Sequence, residues 1–388
     1  MRMAVRVTNH SADEKGGTET KVRKGWIPAM ILALSLAGCG KSQTPENAQT
    51  SEPAVSDTTG AEESASPVSS GFYELAEEKE TLIRDYVGAF EQKTYEDSES
   101  GLSITYNLCL PEGYDTSASY PMVVFIADSS TVGSDPTVSL SQGRGALVWA
   151  SGAWQRRYPT IVAVPTYPET ILDDHNGYTT TEYVELTKRF IDSLSQEYAV
   201  DQNRIYGTGQ SMGCMTTLIL ASEYPDLFAA CMFVDGQWDS SALKGLEGET
   251  FVYFAAEDDT SAWNGMQEVM TMFENDGTSY KYAQWDGTWS SEQLTSAAEK
   301  LFQPEETRYF ISWSSGTIEA QSGSMGGGNR PSFGGEAMAE KEGNRGPKGT
   351  GEIGGMAGNG GSVSYHMASF DYAYRCIAVM EWLFANHG

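Results

Sequence analysis

Apolar residues follow two alternating patterns along the chain. Continuous apolar runs at 121–127 and 160–165 have the length and the β-branched character of strands that are buried on both faces. Between 180 and 198, Leu186 and Phe190 belong instead to a set of apolar residues at helical spacing. Because strands and helices alternate in this way, the pattern predicts an α/β fold with a doubly wound, mostly parallel sheet and helices on both faces.

The same two patterns predict the other elements of the sheet and of its covering layers. Strands are predicted at 101–110, 121–127, 160–165, 204–206, 228–234, 250–255 and 308–313, and helices at 73–90, 180–198, 263–275, 290–302 and 372–385. The predicted globular domain therefore occupies residues 71–388.

The first 70 residues show neither pattern. Within 1–38, a basic stretch, an apolar run of about a dozen residues and small residues follow in the order of a secretory signal. The run is short for a membrane span, which needs about 20 residues. Its end, Leu-Ala-Gly-Cys, resembles the lipobox of bacterial lipoproteins, so Cys39 is the expected lipidation site and the protein is expected outside the cytoplasm, anchored to the bacterial cell membrane. An ordinary signal peptide with a chance cysteine, and a start codon further in, stay open.

Two segments are too polar or too rich in glycine to predict a packed structure. Residues 39–70 consist mostly of Ser, Thr, Ala, Glu, Gln and Pro, which is typical of a disordered tether. In 321–361, 15 of 41 residues are glycine, without apolar periodicity. We expect this second segment to be a mobile surface insertion in the domain.

Charge and cysteine content exclude several classes of function. The formal net charge is −28, which would repel nucleic acid, so no nucleic-acid partner is expected. Apart from Cys39, the four cysteines show no Cys-x-x-Cys spacing of a zinc or redox motif, and their pairing cannot be read from the spacing. Cys214 follows the serine discussed next and is expected to be a small core residue.

One serine stands where a predicted strand turns into a predicted helix. Residues 209–213 read Gly-Gln-Ser-Met-Gly, between the strand at 204–206 and an apolar run at 215–221. This is the Gly-x-Ser-x-Gly pattern of a nucleophile elbow, in which the serine side chain projects from a strained turn and glycines permit close packing. The pattern predicts Ser211 as a nucleophile and the N–H of Met212, at the helix amino terminus, as an oxyanion donor.

A serine nucleophile needs a base to take its proton, and the base needs a carboxylate to orient it. Of the four histidines, His10 lies in the leader, His387 lies at the end of the chain and His175 precedes the elbow. In the chain order of α/β-hydrolases the histidine follows both the serine and the acid. His366, in a predicted loop before the last helix, is therefore the predicted base.

Three adjacent carboxylates are candidates for the acid. Glu257, Asp258 and Asp259 follow the predicted strand at 250–255, which is the second strand after the elbow strand. This is where the fold places the acid. The pattern alone leaves the choice among the three open.

The elbow at 206–213, the segment 224–230 and the segment 366–372 resemble one group of α/β-hydrolases. This group includes polyhydroxybutyrate depolymerase-like esterases, feruloyl and acetylxylan esterases, and peptidases of the prolyl oligopeptidase clan. In the group, the acid ends a strand in a pattern like Phe-His-Gly-x-x-Asp. The register here implies Asp259 as the acid, although Ala-Ala replaces His-Gly. The second oxyanion donor, which usually comes from a His-Gly after the strand at 122–126, is implied to be the N–H of Asp128.

The resemblance implies an α/β-hydrolase fold and a serine hydrolase that cleaves carboxylic esters through an acyl-enzyme. Its triad would be Ser211, His366 and Asp259, and no metal or organic cofactor is implied. The expected substrates are acylated polysaccharides or small esters. Two alternatives stay open: a serine peptidase of the prolyl oligopeptidase clan, and a non-catalytic binding lipoprotein on the same fold.

Overall fold

The computed structural model describes residues 78–175, 177–319 and 365–388. Among these residues, no helix is both long enough and apolar enough to cross a membrane. Several predictions lie outside the described residues: the signal peptide at 1–38, Cys39, the tether at 39–70, the first residues of the helix at 73–90 and the glycine-rich insertion at 321–361.

Most strands of the described residues form one mixed sheet. The strands are β1 (Glu91–Glu96), β2 (Ser103–Cys109), β3 (Tyr120–Ile126), β4 (Ile161–Thr166), β5 (Leu172–Asp173), β6 (Thr179–Thr180), β7 (Val200–Gln210), β8 (Ala230–Val234), β9 (Phe251–Ala256), β10 (Lys281–Trp285) and β11 (Arg308–Trp313). Nine of them pair in the order β1-β2-β4-β3-β7-β8-β9-β11-β10, and β5 and β6 pair with each other. In the larger sheet, the pairs β1–β2 and β2–β4 are antiparallel and the other six pairs are parallel, so the predicted mostly parallel arrangement is confirmed.

Helices cover both faces of this sheet. They are α1 (Lys79–Tyr86), α2 (Val138–Ser141), α3 (Leu147–Ala150), α4 (Gly152–Arg157), α5 (Glu182–Glu197), α6 (Met212–Glu223), α7 (Thr260–Asp276), α8 (Ser291–Leu301), α9 (Tyr365–Ala373) and α10 (Ile377–Ala385). Alternate side chains of a strand point to opposite faces. Phe125 of β3 accordingly packs in one core cluster with Leu383 of α10, whereas Val124 packs in the other with Phe190 of α5 and Leu218 of α6.

The structure departs from the predicted elements near the end of the chain. The helix predicted at 372–385 is two helices, α9 and α10. Because α9 begins at Tyr365, His366 lies in the first turn of a helix, and its prediction as a loop residue is wrong. Strands β1 and β10 were not predicted because they lie at the sheet edges, where much of each strand is exposed and the sequence lacks a continuous apolar run.

Candidate active site

Ser211 lies at the junction of β7 and α6, in a backbone conformation that few residues adopt. Its φ is 53° and its ψ is −116°, and a positive φ is strained for a residue with a Cβ atom. The Ser211 N–H donates to the carbonyl of Val234 at 3.1 Å, and its carbonyl accepts from the N–H of Met215 at 2.9 Å. Strand β8 and helix α6 thus hold the strained turn.

Two glycines let the end of β3 approach this turn. A Cβ atom on Gly213 would overlap the carbonyl oxygen of Ile126, and one on Gly209 would lie 2.8 Å from the same oxygen. Side chains at these positions would push β3 away from the elbow. The close approach places the turn after β3, which contains Asp128, beside the nucleophile.

The structure brings Ser211, His366 and Asp259 into one hydrogen-bonded chain. The Oγ of Ser211 lies 2.8 Å from Nε2 of His366, and Nδ1 of His366 contacts Oδ2 of Asp259. Because a carboxylate can only accept a hydrogen bond, Nδ1 carries the proton and Nε2 is left to accept from the serine hydroxyl. This tautomer is the one that can remove a proton from the serine.

The surroundings of His366 favour its protonated form. Burial by itself lowers the pKa of His366, but the hydrogen bond and charge of Asp259, followed by the charges of Asp235 and Asp128, outweigh burial and raise it. A raised pKa makes the imidazole a stronger base, as proton removal from the serine requires.

The geometry separates the three candidate acids. Glu257 accepts from the Ser312 hydroxyl at 2.9 Å, and Asp258 accepts from the N–H of Gly316 at 2.7 Å. Both carboxylates therefore bind the end of β11 and the loop after it. Asp259 alone among the three contacts His366, as the resemblance implied.

The two predicted oxyanion donors lie on different segments next to the elbow. Met212 is the first residue of α6, where backbone N–H groups have no acceptor within the helix. Asp128 is buried, and its carboxylate accepts from the N–H of Ser130 at 2.5 Å and from Nε2 of Gln142. The side chain of Asp128 is thus bound by its own turn and by Gln142, and a carboxylate cannot donate, so its backbone N–H is the candidate for the oxyanion.

Sequence reasoning missed two residues that support this arrangement. Gln142 binds Asp128 through Nε2, and its Oε1 accepts from Nε2 of Gln210 at 2.7 Å, so it links the oxyanion turn to the elbow. Asp371 of α9 accepts from the N–H of Arg144 and from Nζ of Lys79, both at 2.8 Å. Segment 366–372, part of the family resemblance, contains Asp371, whereas nothing in the single sequence distinguishes Gln142.

The remaining candidate residues have structural explanations. Cys214 is buried and unpaired, and burial raises the pKa of its thiol well above the ordinary value, as expected for a core residue. The ligand atoms of Asp173, Asp174 and His175 lie within 4.8 Å of one another. Nδ1 of His175 contacts Asp174 at 2.7 Å, and the backbone N–H of His175 donates to Asp173 at 2.8 Å. Hydrogen bonds within this exposed loop therefore account for the cluster.

Comparisons with known proteins agree with this fold. Residues 98–321, more than half of the chain, match the family described as "Putative esterase". Acetylxylan esterase A of Emericella nidulans is 28% identical over 126 residues, which cover 28% of this chain and 40% of that protein. Poly(3-hydroxyalkanoate) depolymerase C of Paucimonas lemoignei is 35% identical over 49 residues, which cover 13% of this chain and 12% of that protein.

A solved structure of a thermostable esterase has a similar fold. It matches with a TM-score of 0.56 and 22% identity, covering 78% of this chain and 64% of that chain. The matches therefore span less than two thirds of each relative's length. The structural likeness shows the α/β-hydrolase fold, and the match over 98–321 shows that the chain belongs to this esterase family.

Proposed function

We propose that this protein is a serine hydrolase that cleaves carboxylic esters through an acyl-enzyme. The hydrogen-bonded chain from Ser211 through His366 to Asp259, on an elbow turn in a member of an esterase family, carries the proposal. A buried serine within 2.8 Å of an imidazole that a carboxylate orients is what nucleophilic catalysis requires.

The chemistry follows from the positions of these groups. Ser211 Oγ attacks the ester carbonyl while Nε2 of His366 takes the hydroxyl proton, and the imidazolium then gives that proton to the leaving alcohol. In the second half, His366 takes a proton from water, the resulting hydroxide attacks the acyl-enzyme, and the proton returns to Ser211 as the carboxylic acid leaves. The N–H groups of Met212 and Asp128 stabilise the oxyanion of each tetrahedral intermediate.

Acylated polysaccharides or small esters are the proposed substrates, and the exterior of a bacterial cell is the proposed location. The match to an acetylxylan esterase supports the proposed substrates. The signal-like leader and the lipobox-like residues before Cys39 support the proposed location. Radiolabelled palmitate should enter the wild-type protein and not Cys39→Ser, and only the wild type should sediment with membranes.

Fluorophosphonate labelling tests the activated serine directly. The purified wild type should be labelled and should turn over p-nitrophenyl acetate, whereas Ser211→Ala should not be labelled and should lose about 10⁴-fold or more in kcat. His366→Ala should lose as much in turnover, because the serine then lacks its base. A wild type that is neither labelled nor active would contradict the proposal and favour a binding protein on this fold.

A substrate panel then decides between ester and amide cleavage. Acetylated xylan, methyl ferulate and peptide p-nitroanilides should be compared by kcat/KM with the same preparation. Hydrolysis of the esters at least about 10³-fold faster than hydrolysis of the anilides would support an esterase. Faster cleavage of the anilides would instead identify a peptidase.

A further inference from the structure

Asp235 is a buried carboxyl that the proposed mechanism leaves unexplained. It follows β8, is 0% exposed, and has a φ of 45°, in the left-handed region that is unusual for a residue with a side chain. Burying a carboxyl and straining its backbone are both unfavourable. A residue that combines the two is therefore a candidate for a role in function.

Asp235 binds the segment that carries the acid. Its Oδ1 accepts from the N–H of Ala256 at 2.7 Å, and the carbonyl of Ala256 accepts from the N–H of Asp259 at 3.0 Å. Asp235 also interacts electrostatically with His366 in α9. One carboxyl thus binds the segment that carries the acid and acts on the base through its charge.

The second carboxyl oxygen of Asp235, Oδ2, has no hydrogen-bond partner among the described residues. The hydroxyl of Ser369 does not supply one, because its single hydrogen is donated to the carbonyl of His366. A neutral asparagine could supply the one acceptor that Ala256 needs. The hydrogen bonds alone therefore do not explain why the residue is an ionisable acid.

The negative charge of Asp235 acts on both members of the imidazole–carboxylate pair. Asp259 and His366 interact with it electrostatically, as do the neutral Cys214, Tyr253 and Tyr374. Burial, and then the charge of Asp259, raise the pKa of Asp235 to about 7. When ionised, Asp235 is a second negative charge beside the imidazolium that forms when Ser211 loses its proton.

We propose that Asp235 is a positioning residue of the active site, which holds the segment that carries Asp259 and whose negative charge stabilises the protonated imidazole of His366. The catalytic meaning of this assignment rests on the proposed function. The proton of Ser211 goes to His366, so Asp235 has no proton-transfer role.

A histidine titration by NMR tests the charge directly, without any need for turnover. The chain has four histidines, so ¹⁵N-histidine labelling gives a simple spectrum, and the His366 signal is identified by its loss in His366→Gln. In Asp235→Asn, we expect the pKa of His366 to fall by about 1 unit, since a nearby negative charge is removed while the acceptor for Ala256 remains. Asp258→Asn, a carboxyl in the same segment as Asp259, is the matched control and should leave the pKa within about 0.2 units.

A His366 pKa that is the same in Asp235→Asn and in wild type would overturn the proposal. If Asp235→Asn does not fold, Asp235→Ser serves instead, because it removes the same charge with a smaller neutral side chain. The His366 pKa should again fall, and an unchanged pKa there would equally overturn the proposal.

Fluorophosphonate inactivation in the same preparations separates this inference from the proposed function. If wild type is labelled, the acid limb of its inactivation rate should move to lower pH in Asp235→Asn, together with the NMR pKa. If wild type is not labelled, the proposed function fails, and the NMR shift still decides whether Asp235 acts on His366.

Discussion

The nucleophile and the base of this site are held in place by different kinds of structure. Ser211 belongs to one strand–turn–helix unit, in which β7, the elbow glycines and α6 are continuous in sequence and which packs against β3 and β8. His366 lies on α9, whose links to the rest of the domain come from distant residues. Asp371 of α9 binds Lys79 and the N–H of Arg144, which are 292 and 227 positions away.

This difference determines how each half of the site should fail. The elbow is a close-packed backbone arrangement, so an added methyl group should disrupt it as a unit. The position of His366 depends on several separate polar contacts around α9, so the loss of any one of them should lower activity only partly. Asp259 is the exception, because it contacts the imidazole itself.

The largest effect is expected at the carboxylate of the base side. Asp259→Asn replaces the acceptor of the His366 Nδ1 proton with an amide that favours the wrong tautomer, and kcat should fall by about 10⁴-fold. Steady-state kinetics with p-nitrophenyl acetate measures this loss. Asp258→Asn is the matched control, since Asp258 binds Ser315 and Gly316 in place of the histidine. Equal losses in the two variants would show that the acid has been misassigned.

The elbow should be disrupted by a single methyl group. In Gly213→Ala, the new Cβ would overlap the carbonyl oxygen of Ile126, which belongs to the rigid strand β3. We expect the free energy of unfolding to fall by about 3 kcal/mol and fluorophosphonate labelling to be largely lost. Gly248→Ala is the control, because nothing lies within 4 Å of its Cβ position. A fully labelled Gly213→Ala protein would show that the elbow tolerates movement of β3.

The base side should also have a pH-dependent stability cost that the elbow lacks. The folded pKa of Asp235 is raised to about 7, above about 3.9 in an unfolded chain. The folded state then binds more protons, so this group lowers stability progressively as pH rises between these two values. Asp235→Asn should therefore gain on the order of 2 kcal/mol relative to wild type between pH 4 and pH 8. Urea unfolding at both pH values measures the difference, and a constant difference would contradict it.

The elbow half of the site could be predicted from one local pattern, whereas His366 was predicted from its order in the chain and Asp259 from the resemblance. The Gly-x-Ser-x-Gly pattern between an apolar strand and an apolar helix is local, so it predicted Ser211 at the junction of β7 and α6, where the structure has it. The sheet was predictable for the same reason, apart from its partly exposed edge strands. The catalytic roles of Ser211, His366 and Asp259 stay predictions until the variants are measured.

The supporting residues could not be predicted, because their partners are far away in sequence. Gln142 binds Gln210 across 68 positions, and Asp235 binds Ala256 across 21. No period of apolar or polar residues encodes such pairs. Asp259 stands between these cases: the strand end predicted three carboxylates, the register of the resemblance implied Asp259 among them, and the structure shows that it is the one of the three that contacts His366.

The smallest effect is expected from loosening α9 at a distance from the imidazole. Asp371→Ala removes the acceptor of the Arg144 N–H and the ion pair with Lys79, whose charged groups are both less than a quarter exposed. The free energy of unfolding should fall by about 1 kcal/mol. Because His366 then moves over a wider range while substrate contacts are unchanged, kcat should fall about threefold with KM unaltered. Asp192→Ala, which breaks a surface i,i+4 pair with Lys188, is the control and should leave both quantities nearly unchanged. A stability loss without any change in kcat would mean that the Asp371 contacts support the fold but do not position the base.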